Sequence, residues 1–271
     1  MDHPEHLLGQ VEEIARKAGA IIQNAHPCTQ DEMSKEGHAN YVTRYDQEVQ
    51  AYLMKELSSI LPEAHFVGEE NGQEVFLPEY EKGYTFVLDP IDGTSNFLKA
   101  YRPSVVSIGL LFDGSPFLAV IYSPFTSELF SAIKGGGAFR NGEKISPCLS
   151  PLSDSLVLLG TAPYYGPEMN RVAFEVAFNY LQRSIDIRRS GSAAFDLCSV
   201  ALGRAGLFFE PVLGLWDYCA GALILEEAGG KITDMRGKPL AYRGKSSILA
   251  ACAGVAKEDY LPDSALLPEK L

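Results

Sequence analysis

Apolar positions along the chain alternate between two periods. Leu7, Val11, Ile14, Ala18, Ile21 and Ile22 recur at helical spacing and predict an amphipathic helix closing near His26-Pro27. Val49, Leu53, Leu57 and Ile60 predict a second helix, opened by Thr43-Arg44-Tyr45-Asp46, whose Thr-x-x-acid spacing is close to a capping box. The polar residues 28–42 between them read as a loop. Phe66-Val67 is a short strand, followed by Gly68-Glu69-Glu70 and a polar stretch, 71–82, that reads as a flap. Residues 84–88, 104–112, 116–122 and 127–133 read as strands, with Asp113-Gly114 and Asn141-Gly142 as hairpin turns.

Near residue 150 the composition shifts to Pro and Ser, dividing one domain of residues 1–271 into sub-regions of roughly 1–150 and 151–271. Beyond it, 155–160, 185–187, 206–209, 231–233 and 247–252 read as strands, and 168–182 and 220–228 as helices. Phe195, Leu197, Val200, Ala201 and Leu202 mark a further buried helix, and the tail from Lys257 is polar. The periodicity alone indicates a mixed α/β fold with antiparallel hairpins.

The chemistry concentrates at Phe86-Val87-Leu88-Asp89-Pro90-Ile91-Asp92-Gly93-Thr94-Ser95-Asn96-Phe97. An apolar strand ends on a carboxylate, and Pro90 removes a backbone donor, so the strand is expected to stop there. A second carboxylate follows at Asp92, Gly93 permits a tight bend, and Thr94 and Ser95 suit a helix start. Hard divalent cations take carboxylate oxygens, and phosphate takes N–H groups at helix N-termini. One turn supplying both points to metal-assisted chemistry on a phosphate ester. An ordinary Asp-rich turn has the same composition.

Other phosphate chemistries lack their signatures. Haloacid-dehalogenase-type phosphatases use D-x-D, whereas two residues separate Asp89 from Asp92. Gly135-Gly136-Gly137 leads to Glu143-Lys144 and not to Lys-Ser/Thr, so it is no Walker motif. Cys198 to Arg204 fits C-x5-R, but Cys198 falls inside a predicted buried helix, where a cysteine is an inert small hydrophobe. His3, His6, His26, His38 and His65 stand apart from the acidic motifs.

The 271 residues carry a net charge of −12, which opposes binding to nucleic acid or anionic membranes. The same charge would repel a phosphate substrate unless bound divalent metal reversed the local sign. Five scattered cysteines fit buried thiols in a reducing compartment. No basic leader and no membrane-length apolar run is present, so a cytoplasmic protein is expected.

Residues 87–97 resemble the first signature of the inositol monophosphatase family. Trp216-Asp217-Tyr218-Cys219-Ala220-Gly221, continuing to Glu226-Glu227-Ala228-Gly229-Gly230, resembles the second, and Val67-Gly68-Glu69-Glu70 its G-E-E segment. Order and spacing agree over nearly the whole chain. The resemblance implies a layered αβαβα sandwich of the inositol monophosphatase and fructose-1,6-bisphosphatase type, a homodimer, and lithium inhibition. It implies two or three Mg²⁺ held by Glu69, Asp89, the Ile91 carbonyl, Asp92 and Asp217. Glu69 would activate water, Thr94 oriented by Asp46 would position it, and Gly93 and Thr94 would bind phosphate. Ala193 and Glu210 would meet the substrate's alcohol portion, Asp92 and Asp217 would also bind substrate, and Lys35 would lie near the metal.

Asn40 stands where the family pattern has Asp, and Tyr101-Arg102-Pro103 where relatives more often have F-P-F. The expected reaction is hydrolysis of inositol 1-phosphate. Fructose 1,6-bisphosphate or 3′-phosphoadenosine 5′-phosphate would use the same mechanism, and a catalytically silent metal-binding regulatory or assembly protein is the reading from another class.

Overall fold

A computed structural model describes residues 3–26, 32–34, 41–70, 76–146 and 148–268. Helices α1 (Pro4–Asn24) and α2 (Arg44–Ile60) form the first layer. They cover one face of a seven-stranded sheet ordered β3 (His65–Gly68), β4 (Tyr84–Asp92), β5 (Val105–Phe112), β6 (Ser115–Ser123), β7 (Glu128–Ile133), β8 (Gly137–Arg140), β9 (Glu143–Lys144). Beyond its other face lie α5 (Ala193–Ala201) and α6 (Leu215–Glu227). A second sheet follows, ordered β11 (Asp186–Arg188), β10 (Leu156–Leu159), β12 (Leu207–Leu213), β14 (Ser246–Ala251), β13 (Lys231–Thr233). Helix α4 (Gly166–Leu181) covers its outer side. This is the expected αβαβα sandwich, and the composition shift near residue 150 falls where the chain leaves the large sheet for the small one.

Strand alternation explains the layering. In β5, Val106, Ile108 and Leu110 point toward α1 and α2, while Val105 and Leu111 point toward α5 and α6. In β12, Phe208 faces α5 and α6, and Leu207 and Phe209 face α4. Helix α6 is apolar almost all round because both sheets press on it. Gly109 of β5 lets α6 approach: a Cβ there would sit 2.8 Å from Cys219 Sγ.

Several expectations are corrected. Strand β4 does not stop at Pro90 but runs to Asp92, because Pro90 and Ile91 form a β-bulge: Asp89 pairs with Ser107 and Asp92 with Val105, leaving Val106 opposite both. Strand β12 likewise continues through Glu210-Pro211 to Leu213. Within 28–42, β1 (Glu32–Ser34) and β2 (Tyr41–Thr43) pair as a small antiparallel sheet. Of the expected flap, 71–75 lie outside the described residues; Phe76 and Tyr80 are anchored, with Tyr80 stacked on His65 at 4.8 Å. The tail docks through α7 (Lys257–Tyr260), where the buried Tyr260 hydroxyl donates to Leu249 O at 2.7 Å.

Replacing Gly109 with Val should cost about 1–3 kcal/mol by overpacking the β5–α6 contact, read as a lower urea midpoint at unchanged slope.

Candidate metal centre and active site

The bulge in β4 creates the site. In a regular strand, residues three apart point to opposite faces. With one extra residue inserted, Asp89 and Asp92 both face the α6 side, as their partners Ser107 and Val105 do. Asp217, in the first turn of α6, meets them there. One carboxylate oxygen from each of Asp89, Asp92 and Asp217 lies within 4.8 Å of the others.

Each acid is held by neutral donors. Ile91 N–H donates to Asp89 Oδ1 at 3.0 Å. Gly214 N–H donates to Asp217 Oδ2 at 2.6 Å. Asp92 Oδ2 accepts from Ser192 Oγ at 2.8 Å and Ala194 N–H at 2.7 Å, and its Oδ1 accepts from Ala193 N–H at 3.3 Å. The N–H groups that open α5 therefore receive the protein's own carboxylate, and through Asp92 the first sheet is tied to the middle helical layer.

The expected coupling of Asp46 to Thr94 is present. Thr43 Oγ1 accepts from the N–H groups of Tyr45 and Asp46, and Thr43 N–H donates to Asp46 Oδ2 at 2.7 Å, completing the capping box of α2. The other oxygen, Asp46 Oδ1, lies 3.1 Å from Thr94 Oγ1. Ile91 O lies 3.2 Å from the same hydroxyl. One buried carboxylate thus both caps a helix and orients a hydroxyl at the cleft.

Glu69 lines this cleft of about 140 Å³ together with Asp89, Ile91, Asp92, Gly93 and Thr94. Ala193, Glu210 and Asp217 line it too, so the acids, Thr94 and the expected alcohol-side residues share one cavity. Asp46 reaches it through Thr94. Lys35 and Asn40 lie outside the described residues. Unanticipated residues also line the cleft, among them Tyr164, Tyr165, Arg189 and Asp196. Tyr165 OH donates to Glu210 Oε1 at 2.7 Å. Asn96 Nδ2 joins the Pro103 and Ser190 carbonyls, at 2.6 and 2.9 Å, across the rim. Asn96 stands inside the motif at 86–97, but an amide there carries no distinctive signal.

The rejected motifs have structural explanations. The glycine loop at 135–137 is a nest already filled, since the N–H groups of Gly135 and Gly137 donate to the two oxygens of Glu227 at 2.7 Å each. Cys198 is buried in α5, where desolvation pushes its thiol well up.

The electrostatics are unbalanced. Burial, then Glu69 and the neighbouring aspartates, push Asp89 and Asp217 well above the carboxylate range. Burial raises Asp92 to about 6 against the hydrogen bonds it accepts, and raises Asp46 to about 6 and Glu210 to about 8. Oxygen donors of like charge gathered in a buried pocket suit a hard divalent cation, whose charge would relieve both the desolvation and the repulsion. The residues present fit such an ion.

Acids whose folded pKa is raised bind more protons folded than unfolded, so they weaken the fold as pH rises. Between about pH 4 and pH 8, the interval from the ordinary values 3.8 and 4.5 to the raised values near 6 and 8, the EDTA-treated protein should melt at progressively lower temperature. Saturating divalent cation should flatten this decline. Thermal unfolding across that pH range, with and without the cation, checks both.

Residues 3–267 match the family model described as the inositol monophosphatase family. The chain is 34% identical over 236 residues to the Nus factor SuhB of Escherichia coli K12, covering 87% of this chain and 86% of that protein. It is 32% identical over 260 residues to the inositol-1-monophosphatase of Bacillus subtilis 168, covering 93% and 97%. The crystal structure of inositol monophosphatase-II from Staphylococcus aureus MSSA476 superposes with a TM-score of 0.80 at 28% identity, covering 94% and 93%. SaIMPase-II has also been solved with inositol monophosphate and with 2′AMP bound. With its bulged acidic strand, its α6 carboxylate and its five layers, this chain belongs to the inositol monophosphatase family.

Proposed function

We propose that the chain is a Mg²⁺-dependent phosphomonoesterase that hydrolyses inositol 1-phosphate to inositol and phosphate. The observation that carries this is the convergence of Asp89, Asp92 and Asp217 on one point, beside a Thr94 hydroxyl that Asp46 orients. Glu69, Asp89, the Ile91 carbonyl, Asp92 and Asp217 would hold two or three Mg²⁺. When bound, the metal supplies neutralisation of phosphate charge, acidification of water and stabilisation of the leaving oxygen.

The chain's own groups do the rest. With its proton directed to Asp46 Oδ1, the Thr94 hydroxyl turns a lone pair to the cleft and can accept a hydrogen bond from the attacking water. Glu69 takes up the proton that water releases. The N–H groups of Gly93 and Thr94 receive phosphate oxygens. Burial raises Glu210 to about 8, and its carboxyl, held by Tyr165, would hydrogen-bond a substrate hydroxyl. The Ala193 backbone is the other contact to the alcohol portion.

A second reading of the substrate has one observation in its favour. Tyr164 and Tyr165, 5.1 Å apart and perpendicular, give the wall beside Glu210 two aromatic rings, a surface suited to the planar base of a nucleoside monophosphate such as 2′-AMP. The reading as a silent regulatory protein draws on the SuhB relatives, whose name is that of a Nus factor. Against it stands the complete set of acids with Thr94. A homodimer remains our expectation. Exposed Phe174, Phe178 and Leu181 on α4, with Ile185 just beyond it, form an apolar stripe that a second copy would cover.

Phosphate release from inositol 1-phosphate, 2′-AMP, fructose 1,6-bisphosphate and 3′-phosphoadenosine 5′-phosphate, with Mg²⁺ or EDTA, tests the reading. Inositol 1-phosphate should be preferred and EDTA should abolish release; preference for another ester would move the substrate, and release from none would leave the regulatory reading. Asp89→Asn and Asp217→Asn should each reduce turnover to background while the far-ultraviolet circular dichroism stays unchanged. Activity retained in either would overturn the site. Tyr164→Ala should lower kcat/KM for 2′-AMP by about tenfold, the worth of one aromatic contact, and leave that for inositol 1-phosphate within about twofold; equal losses on both would count against the nucleoside reading.

A further inference from the structure

Helix α2 presents two buried polar side chains on one face. Asp46 and Gln50 are four residues apart and so lie one turn above the other. Asp46 serves Thr94. Gln50, with 0% of its surface exposed, serves neither the helix nor the apolar core. Its Oε1 accepts from Glu70 N–H at 3.0 Å, and its Nε2 donates to Glu70 O in a short contact. A carboxamide here matches both polar groups of one residue's backbone, as a neighbouring strand would. Gly68 makes room for it: a Cβ at Gly68 would lie 2.6 Å from Gln50 Oε1.

Glu69 is therefore held from both sides. Toward the sheet, Gly68 pairs with Leu88 in the β3–β4 ladder, and Glu69 N–H donates to Leu88 O at 3.2 Å. Beyond it, strand pairing has ended and Gln50 takes over.

We propose that Gln50 is a positioning residue whose carboxamide sets the Glu69 carboxylate against Asp89, Asp92 and Asp217. One rigid helix then aligns both groups that handle the attacking water, Thr94 through Asp46 and Glu69 through Gln50. The proposal rests on the reading of Glu69 as a metal ligand. It also explains why glutamine stands here. An apolar side chain would leave the N–H and C=O of the buried Glu70 without this partner. Glutamate would lack the donor and add charge beside an acidic cleft. Asparagine is one methylene too short.

The test is a double-mutant cycle on the full-length protein, with Gln50→Met, Glu69→Gln and the double variant. The readout is Mg²⁺ affinity by isothermal titration calorimetry, together with the Mg²⁺ concentration that half-activates hydrolysis and the KM for inositol 1-phosphate. Gln50→Met should weaken Mg²⁺ binding by about 10- to 100-fold, the usual effect of losing a group that orients a ligand. The KM at saturating Mg²⁺ should stay within about twofold, a split that general destabilisation would not produce. The double variant should bind no more weakly than Glu69→Gln alone, because Gln50 acts only through Glu69. Unchanged affinity in Gln50→Met alongside weakened affinity in Glu69→Gln would overturn the proposal, as would additive losses. Unchanged affinity in Glu69→Gln would instead refute the ligand reading beneath it. If Gln50→Met does not fold, Gln50→Asn, uncharged and polar but one methylene too short to reach Glu70, takes its place in the cycle with the same expectations.

Discussion

Like charges buried together are the constraint on which this structure depends. Asp89, Asp92 and Asp217 occupy one pocket, and the hydrogen bonds found for them come from backbone N–H groups and a serine hydroxyl. Such donors fix position without cancelling charge. An arginine or lysine in their place would stabilise the resting protein and remove the reason to bind a cation. The chain is thus pre-organised and electrostatically frustrated at one point, a cost to stability that a bound divalent ion would offset.

Three of the five layers contribute to holding that point. The first sheet supplies Asp89 and Asp92 through the bulge in β4, and the middle helices supply Asp217 and the donors that grip Asp92. The outer helix α2 sends in Asp46. Its buried stripe runs Asp46, Val49, Gln50, Leu53, Leu57, so one helical face is apolar where it packs on the sheet and polar where it enters the site. Packing of the apolar half fixes the placement of the polar half. A loop could not give the same precision.

The two features most like anion sites show how context decides a motif. The nest at 135–137 holds Glu227, and the N–H groups opening α5 hold Asp92. Backbone N–H donors converge in both places, but their occupants come from within the chain. In one case the result is a structural clamp far from the chemistry. In the other, the clamp is part of the site.

What the sequence by itself determined was the local material. Helical stripes, hairpins at Asp113-Gly114 and Asn141-Gly142, and the capping box at Thr43 and Asp46 all follow from short-range periodicity and turn chemistry, and the acids were recognisable by type and order. Tertiary structure alone decided what depends on register and on partners distant in the chain. Pro90 reads locally as a strand terminator, yet pairing with β5 carries the strand on as a bulge, and that extra residue turns Asp92 to the same face as Asp89. Gln50 reads as one more polar helix residue, because its partner Glu70 is twenty positions away. Tyr165 and Glu210 are separated by forty-five residues and meet only because β10 and β12 are neighbours in the second sheet. Periodicity reports which face of an element is buried. What that face meets is set by long-range packing, which no local pattern encodes.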